Sequence, residues 1–336
     1  MKKYDPKVAS WQINEQDFPR GEDSTEKLKF LIRYAILAPS SHNTQPWKFS
    51  IAEDQIRIFV DKTRWLKVAD TDQRELHVSI GCALENLLIA AEHFGYAHQV
   101  TYFPELGNEE LAALVRFTPQ GHPSAFRPTT LFDVIPARHT NRQAYYARPI
   151  LAEDLQRLHD CFVEEGIRLH VTDDPDIKRR VDELMVRADA LQFADPAWRD
   201  ELGYWIGQGA FGMPWLVSKV AQLAVTYLNM GKGTAKMDSE VLMSAPVLVA
   251  LSSHSNNRTA QVKAGQAFER VWLMATNLGI SLHPMNQILQ LPEIKTEVTK
   301  LMPMEGVIPQ LTFRLGYAEQ EKEHTPRRPL NEVLIQ

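Results

Sequence analysis

Apolar and polar residues alternate with two different periods in the first part of the chain. After Asp23, apolar residues recur at helical spacing, and Asp23 itself is positioned to cap the helix. Pro39 is expected to stop this helix. Two short alternating runs, 49–51 and 56–60, then predict a hairpin. A long apolar helix is expected over 74–95, where a glycine ends it.

This long helix has a counterpart much later in the chain. Residues 81–95 can be laid on residues 265–279, an offset of 265 − 81 = 184 residues, with Gly, Ala, Glu, Ala and Gly coinciding. Strand-like runs flank each copy, at 56–60 and 111–117 for the first and at 246–251 and 310–315 for the second. The repeat predicts two related α+β units fused in tandem, with helices flanking antiparallel or mixed sheets. The alternative is that two unrelated amphipathic helices ending in glycine happen to look alike.

The boundaries of the two units follow from breaks in the pattern. A linker rich in proline and polar residues covers 121–128, so we expect a first half at 1–122 and a second half at 123–336. The stretch 186–240 has no counterpart in the first half and combines aromatic residues with glycines. We expect it to be a helical insertion, and it could form a lid.

Composition narrows the function classes. The formal net charge is −5 and there is no long run of like charges, which argues against a nucleic-acid partner. No apolar stretch approaches the ~20 residues of a spanning helix and no secretory signal is present, so we expect a cytoplasmic protein without a membrane partner. Cys82 and Cys161 lack CxxC spacing and are expected to be buried free thiols.

Familiar catalytic signatures are absent or incomplete. Residues 207–212 satisfy GxGxxG, but a helix-like segment precedes them and a proline follows at once, which is the wrong context for a dinucleotide site. The histidines show no metal-ligand spacing, and there is no GxSxG elbow. We therefore expect no metal site, and the case for a hydrolase is weak.

The segment 38–49 reads APSSHNTQPWKF and follows the first helix directly. Small hydroxyl and amide side chains after a proline can reach a flat polar heterocycle, while an adjacent Pro-Trp pair anchors the turn in the core. The alternative is a helix end that runs into a hairpin with a structural tryptophan. The segment resembles the APSxxNxQPWxF signature of the nitroreductase family, whose members bind FMN.

Three further segments resemble FMN-binding elements of that family. They are RHTNR at 138–142, HPMNQ at 283–287 and PRRPL at 326–330. The second departs from the family pattern P-x-E-G-F, since Asn286 and Gln287 replace Glu and Gly. Arginines that flank a hydroxyl suit a phosphate and a ribityl chain. The resemblance implies that the flavin is contacted by Ser40, Ser41, Asn43, Gln45, Arg138, His139, Thr140, Arg142, Pro284, Met285, Asn286, Arg327 and Arg328.

The resemblance also implies particular roles. Arg138, Thr140 and either Arg327 or Arg328 would hold the phosphate and ribityl chain, and Arg142 would lie near the N1/C2 carbonyl end of the ring. Ser40, Ser41 and Asn43 would bond the ring or ribityl chain from the opposite half.

The distribution of these elements predicts one composite site. The segment 38–49, which we call the serine-rich element, occurs only in the first half. The other three segments, 138–142, 283–287 and 326–330, occur only in the second, so the two halves complement each other. Family members pair as homodimers with two flavins, whereas this chain looks like the fused, Acg-type branch. We expect nitroreductase-like units that form an internal pseudo-dimer, which binds a single FMN and remains monomeric.

The resemblance implies an oxidoreductase in which FMN accepts hydride from NAD(P)H and reduces a nitroaromatic or quinone-like acceptor. Because FMN would carry this chemistry, the resemblance implies no catalytic side chain. The alternative is a non-enzymatic flavin-binding protein, in which the insertion closes over FMN and sequesters it.

Overall fold

A computed structural model describes residues 9–301, 306–321 and 323–335. Within these residues, eight strands form two sheets. They are β1 (Trp47–Ala52), β2 (Gln55–Val60), β3 (Tyr96–Tyr102), β4 (Leu111–Pro119), β5 (Ile167–Thr172), β6 (Val247–Ser253), β7 (Ser281–Pro284) and β8 (Ile308–Gly316).

The α-helices flank these sheets. They are α1 (Ser24–Ala35), α2 (Arg74–His93), α3 (Thr129–Val134), α4 (Ala152–His159), α5 (Pro175–Ala194), α6 (Pro196–Gly207), α7 (Trp215–Tyr227), α8 (Gly231–Ser244), α9 (Arg258–Asn277), α10 (Gln287–Gln290), α11 (Pro292–Leu301) and α12 (Leu330–Val333).

The two sheets share one topology. The first has the order β1-β2-β4-β3 and the second β5-β6-β8-β7. All six strand pairings are antiparallel, and both β2/β4 and β6/β8 contain one register shift. The predicted α+β fold with two tandem units is therefore confirmed. The strands of both sheets are antiparallel rather than mixed.

The first helix begins and ends much as its sequence predicts. Asp23 caps α1, since its Oδ1 accepts a hydrogen bond from Glu26 N at 3.0 Å. The helix ends at Ala35, a few residues before Pro39, and the loop after it leads into β1. This loop carries the serine-rich element.

The two repeated helices pack against each other at the centre of the molecule. A Cβ added to Gly81 would overlap the carbonyl oxygen of Val262, and one added to Gly265 would overlap that of Val78. These contacts are reciprocal, because Val78 and Val262 are also separated by 184 residues. Such an isologous contact is typical of a two-fold interface, here formed within a single chain. Glycines at both positions allow the two helix backbones to approach closely.

The halves differ where their first two strands are joined. A two-residue turn connects β1 to β2, whereas the four helices α5 to α8 separate β5 from β6. These helices contain the stretch 186–240 that we expected to be an insertion. The boundary between the halves near residue 122 stays a prediction.

The C-terminal segment crosses from the second sheet to the first half. After β8 it runs to the first sheet, where Leu334 bridges Phe49 and Ile335 N donates to Phe49 O at 2.8 Å. On the way it carries Arg327 and Arg328 past the loop that follows α1. Within the described residues, no helix is both long enough and apolar enough to cross a bilayer.

Candidate functional site

The loop between α1 and β1 holds three residues in the left-handed region of backbone conformation. His42, Asn43 and Gln45 have φ values of 48°, 51° and 52°. Non-glycine residues adopt this region at an energetic cost and often do so at ligand sites. Ser40 Oγ accepts a hydrogen bond from Gln45 N at 2.9 Å, which closes the loop on itself. Ser41 Oγ donates to the buried carboxylate of Glu75 on α2.

Two buried arginines converge on the end of α1. Arg138 and Arg327 both donate to the carbonyl oxygen of Leu37, at 3.2 and 3.1 Å. The Arg138 guanidinium lies 4.4 Å from the Trp272 ring centroid, and that of Arg327 lies 4.5 Å from the Trp11 ring. Burial, and then the charge of Arg138, lower the pKa of Arg327 well below its ordinary value. The site therefore holds two adjacent cations that an anion would stabilise.

One carboxylate lies behind this pair of arginines. Glu269 on α9 is fully buried, and its Oε1 lies 3.5 Å from Arg138 Nε. Neither carboxylate oxygen has a hydrogen-bond partner within the described part of the chain. Burial raises the pKa of Glu269 to about 7, although Arg138 opposes the shift. Its negative charge is therefore only partly developed at neutral pH.

Three stacked rings form one wall beside the arginines. Trp11 stacks on His324 with centroids 4.0 Å apart, and His324 stacks on His139 at 3.8 Å. Burial, followed by the neighbouring His139 and arginine charges, lowers the pKa of His324 to about 3. The stack is thus neutral and apolar on its face at physiological pH.

These features surround a cavity of about 510 Å³ between the two halves. Its volume lies within the ~300–1,000 Å³ typical of pockets for small molecules and cofactors. Most of the residues expected from the sequence line it. They are Ser40, Ser41, Asn43, Arg138, His139, Thr140, Arg142, Pro284, Asn286 and Arg327.

The other three expected residues lie outside the lining. Gln45 and Arg328 bind each other: Gln45 Oε1 accepts from Arg328 N at 2.7 Å, and the Arg328 guanidinium donates to Asp61 at 3.2 Å. This network attaches the C-terminal segment to the first sheet. Met285 is buried in the core under the second sheet. Asn286 reaches the cavity, but its Oδ1 accepts from Thr312 N at 2.9 Å.

Asn43 joins three distant segments at the edge of the cavity. Its Nδ2 donates to the carbonyl oxygens of Ala210 at 2.8 Å and Pro326 at 2.9 Å, while its Oδ1 accepts from Arg327 at 3.0 Å. The first half, the insertion and the C-terminal segment therefore meet at one amide. The strained backbone at Asn43 aims this side chain at all three.

The insertion forms an aromatic wall on the far side of the cavity. Phe193, Trp198, Leu202 and Phe211 line it there. The linking loop, with the GxGxxG run, follows α6 and carries Phe211 to within 6.0 Å of the His42 ring centroid. The glycines of this run therefore belong to a helix end and loop, as its sequence context indicated.

Acidic groups mark the part of the cavity near α8. Asp189 and Asp238 both line it, and Gln287 Nε2 donates to Asp238 Oδ2 at 3.1 Å. Burial, and next the charge of Asp238, raises the pKa of Asp189 to about 7.

Arg314 Nε donates to His283 Nδ1 at 3.3 Å, so His283 carries its proton on Nε2. The cavity thus contains acidic groups near α8 as well as the arginines Arg138 and Arg327.

Several lining residues were not expected from the sequence. They include Trp11, Glu75, Asp189, Asp238, Trp272 and His324. Trp272 lies in the second copy of the repeated helix, so the comparison of the two copies could have identified it. The others are far apart in the chain and show no local motif. Among the described residues, no group of three or more His, Cys, Asp or Glu is arranged to hold a metal ion.

Comparisons with known proteins agree with the motif-based resemblance. Residues 14–91 match the family described as "Putative TM nitroreductase". The chain is 27% identical to "Putative NAD(P)H nitroreductase Rv3131" and 26% identical to "Putative NAD(P)H nitroreductase acg", both from Mycobacterium tuberculosis. These alignments cover 92% of this chain and 91% and 96% of the relatives.

A relative from Serratia, "Probable NAD(P)H nitroreductase PigM", is 25% identical over 92% of this chain and 93% of its own length. Among solved structures, the FMN-dependent nitroreductase NfnB from Mycobacterium smegmatis in complex with NADPH aligns with a TM-score of 0.42 and 16% identity. That alignment covers 61% of this chain and 96% of NfnB. The predicted resemblance is confirmed: over more than nine-tenths of its length this chain is similar to proteins named NAD(P)H nitroreductases, Acg among them.

Proposed function

We propose that this chain is an FMN-binding oxidoreductase that uses NAD(P)H to reduce nitroaromatic or quinone-like acceptors. The observation that carries the proposal is the pair of buried arginines, Arg138 and Arg327, beside a cofactor-sized cavity. The names of the relatives supply the reaction class, since they are NAD(P)H nitroreductases.

The residues around the cavity fit a flavin mononucleotide. The Nε atoms of Arg138 and Arg327 are buried and make no hydrogen bond within the described residues. One partly ionised carboxylate is the counter-charge near them, at Glu269, so a phosphate would find uncompensated positive charge. The hydroxyls of Ser40, Ser41 and Thr140 lie around the same cavity and suit a polyol chain or a ring edge.

Each residue then has a defined task in our proposal. Arg138 and Arg327 hold the phosphate, with Thr140 and His139 beside them, and Arg142 favours the negative charge of the reduced ring. Ser40, Ser41 and Asn43 contact the cofactor from the first half, and Pro284 and Asn286 contact it from the second. Gln45, Met285 and Arg328 support the site from behind.

Bound FMN would supply the redox chemistry, by accepting a hydride from NAD(P)H and passing electrons to the acceptor. This chain would contribute binding, orientation and exclusion of water. The aromatic wall of the insertion, with Phe211 and Trp198, limits access to the cavity on one side. We further propose that the protein acts as a monomer in the cytoplasm.

A second function is favoured by a specific observation. The Asn43–Ala210 hydrogen bond ties the insertion to the loop that would face the flavin, and Asp189 and Asp238 line the cavity, where negative charge on them would oppose an anionic nicotinamide cofactor. Both features would suit a protein that sequesters FMN without turnover.

An anaerobic titration distinguishes these functions. Purified protein is loaded with FMN, its flavin spectrum is recorded, and NADH or NADPH is added. Rapid bleaching of the absorbance, followed by recovery on addition of a quinone, is expected for the oxidoreductase. Bound FMN that dithionite bleaches but neither nicotinamide does would support sequestration. Protein that takes up no FMN would overturn both functions.

A further inference from the structure

Two neighbouring hydroxyls in the cavity lining, those of Ser40 and Ser41, have opposite hydrogen-bonding roles. A serine hydroxyl can donate one hydrogen bond and accept two, so its neighbours in the protein decide which role is left for a ligand. Ser40 Oγ accepts a hydrogen bond from Gln45 N at 2.9 Å, and no group within the described residues accepts its proton. The hydroxyl of Ser40 is therefore free to act as a donor in the cavity.

Ser41 has the reverse arrangement. Its Oγ donates to Oε2 of Glu75, a buried carboxylate that also lines the cavity. A carboxylate offers only lone pairs, so the proton of this hydrogen bond belongs to Ser41. In the described part of the chain, no group donates to Ser41 Oγ in return. The lone pairs of Ser41 therefore remain for a ligand, and this hydroxyl is an acceptor.

Glu75 is held in this role through its other carboxylate oxygen. Arg74 Nη2 and Gln290 Nε2 each donate to Glu75 Oε1 at 3.0 Å, and Arg74 is the counter-charge of the carboxylate. Gln290 Oε1 in turn accepts from Gln192 Nε2 at 2.7 Å, which fixes the orientation of the Gln290 amide. All three donors at Glu75 therefore point towards its carboxylate, and the insertion and both halves contribute to the network.

The imide edge of a heterocycle matches this pair of hydroxyls. Such an edge presents a carbonyl oxygen, which accepts a hydrogen bond, beside an N–H group, which donates one. The pyrimidine ring of FMN carries an imide, and its N3–H is the one N–H group of the oxidised flavin ring. A ribityl hydroxyl requires no particular polarity from the protein, because it can either donate or accept. The opposite roles of the two serines therefore favour the ring edge as their ligand.

We propose that Ser40 and Ser41 bind the imide edge of the flavin, with Ser40 donating to a ring carbonyl and Ser41 accepting from N3–H. Glu75 is then a positioning residue, because it acts on the cofactor through the Ser41 hydroxyl. This inference rests on the proposed binding of FMN and sharpens it, since it assigns the ring rather than the ribityl chain to these two serines. A site with fixed hydrogen-bonding groups rejects a ligand that lacks the matching group.

Glu75→Gln should invert the polarity of Ser41 while it keeps the shape of the site. A glutamine has one acceptor oxygen, and Arg74 and Gln290 both donate at the position of Glu75 Oε1. The amide nitrogen would therefore take the position of Oε2 and donate to Ser41 Oγ. The hydroxyl proton of Ser41 would then turn towards the cavity, where it would oppose N3–H instead of leaving a lone pair for it.

Titration of the full chain with FMN and with N3-methyl-FMN tests this arrangement. The methyl group removes the donor and leaves both ring carbonyls, and flavin fluorescence gives the Kd of each ligand. The wild-type chain should bind N3-methyl-FMN about tenfold or more weakly than FMN. In Glu75→Gln the ratio of the two Kd values should fall about tenfold, because only FMN loses a matched acceptor. A ratio that stays at the wild-type value would overturn the proposal, since a purely steric effect of the methyl group does not depend on Glu75.

A matched pair of serine variants provides a second test that leaves the buried carboxylate in place. Ser41→Ala removes the acceptor and should lower the ratio of the two Kd values. Ser40→Ala removes a donor to a carbonyl that both ligands possess, so it should weaken both ligands alike and leave the ratio unchanged. A ratio that both variants lower equally, or that Ser40→Ala alone lowers, would overturn the assignment. Circular dichroism checks the fold of every variant.

The same titrations separate this inference from the proposed function. If the wild-type chain binds neither flavin, the proposed function fails and the inference fails with it. If FMN binds but the ratio of Kd values responds to neither Ser41→Ala nor Glu75→Gln, FMN binding stands and only the assignment of the imide edge is overturned.

Discussion

Each half buries a glutamate at the equivalent position, but the two carboxylates have very different hydrogen-bond partners. Glu85 on α2 and Glu269 on α9 are separated by 184 residues and are both fully buried. Arg127 binds Glu85 through two hydrogen bonds of 2.7 and 3.1 Å, and Gln266 adds a third at 3.0 Å. Glu269 has one arginine at 3.5 Å and no hydrogen bond within the described residues.

The pKa values of the two carboxyls express this difference. Despite burial, Arg127 and Arg270 hold the pKa of Glu85 below its ordinary value, whereas burial raises that of Glu269 to about 7. One half has filled its central position with an ion-pair cluster around Glu85, which extends through Arg270 to Glu164. The other half leaves positive charge available beside a cavity. A fused pair of units can therefore specialise: one position is filled by ion pairs, and in our proposal the other would serve ligand binding.

The largest expected effect comes from breaking the ion-pair cluster around Glu85. Glu85→Gln removes the shared partner of two buried arginines and should lower the free energy of unfolding by about 3 kcal/mol. Glu269→Gln, the matched change in the other half, should lower it by less than about 1 kcal/mol, because that carboxylate makes few contacts. Guanidinium unfolding curves measure both variants. Equal destabilisation would contradict the contrast.

Substitution of either central glycine, in α2 or in α9, should lower the free energy of unfolding by the same amount. Gly81→Ala and Gly265→Ala each force a Cβ into the opposite backbone and should each cost about 2 kcal/mol of unfolding free energy. Gly233→Ala is the control, since it lies in α8 with open space around its Cβ and should be neutral or slightly stabilising. Thermal unfolding compares the three. A cost at one of the two central glycines alone would show that the contact is not reciprocal.

Removal of a cavity arginine should weaken cofactor binding more than it weakens the fold. Arg327→Ala should raise the Kd for FMN by about 10- to 100-fold, the loss of one charge-assisted contact. Arg148→Ala provides the control, because Arg148 is exposed and lies against Tyr317, away from the cavity. Flavin fluorescence titration measures both. An unchanged Kd for Arg327→Ala would show that the phosphate does not bind at this end of the cavity.

The smallest expected effect is a pH dependence of FMN affinity. Below its pKa of about 7, Glu269 is protonated and Arg138 keeps its full attraction for an anion; above it, the carboxylate competes for that arginine. The wild-type Kd relative to that of Glu269→Gln should therefore rise a few-fold as pH increases through 7. The ratio cancels the ionisation of the phosphate itself. A ratio that stays constant from acid to alkaline pH would mean that Glu269 does not titrate beside the site.

Sequence patterns predicted the elements whose residues are periodic or repeated. The helices α1, α2 and α9 and the strands β1, β2, β4, β6 and β8 fall where apolar spacing indicated. Strands β3, β5 and β7 were missed. Strand β5 alternates apolar and polar residues and β3 alternates half-buried and exposed ones, so both carried a signal, whereas β7 has only four residues. The outward apolar face of α7 was also missed, since spacing does not reveal which face of a helix turns outward. Leu216 and Leu223 on that face are 68% and 59% exposed.

The cavity could be anticipated only in part. Ser40 and Arg138 belong to compact motifs, so local sequence sufficed to nominate them. Trp11 and His324 reach the same wall from opposite ends of the chain, and contacts of that kind depend on the path of the terminal segments. Arg327 and Arg328 are adjacent and chemically identical, but backbone direction turns the first into the cavity and the second into the first sheet.

The stoichiometry of FMN binding tests the central claim most directly. Apo protein is titrated with FMN by calorimetry, with protein concentration fixed by amino-acid analysis, and the Arg327→Ala variant is titrated in parallel. If one composite cavity binds the cofactor and the equivalent position is filled by the Glu85 cluster, one FMN binds per 336-residue chain and the variant loses that single event. Two FMN per chain, or one that Arg327→Ala does not weaken, would contradict it.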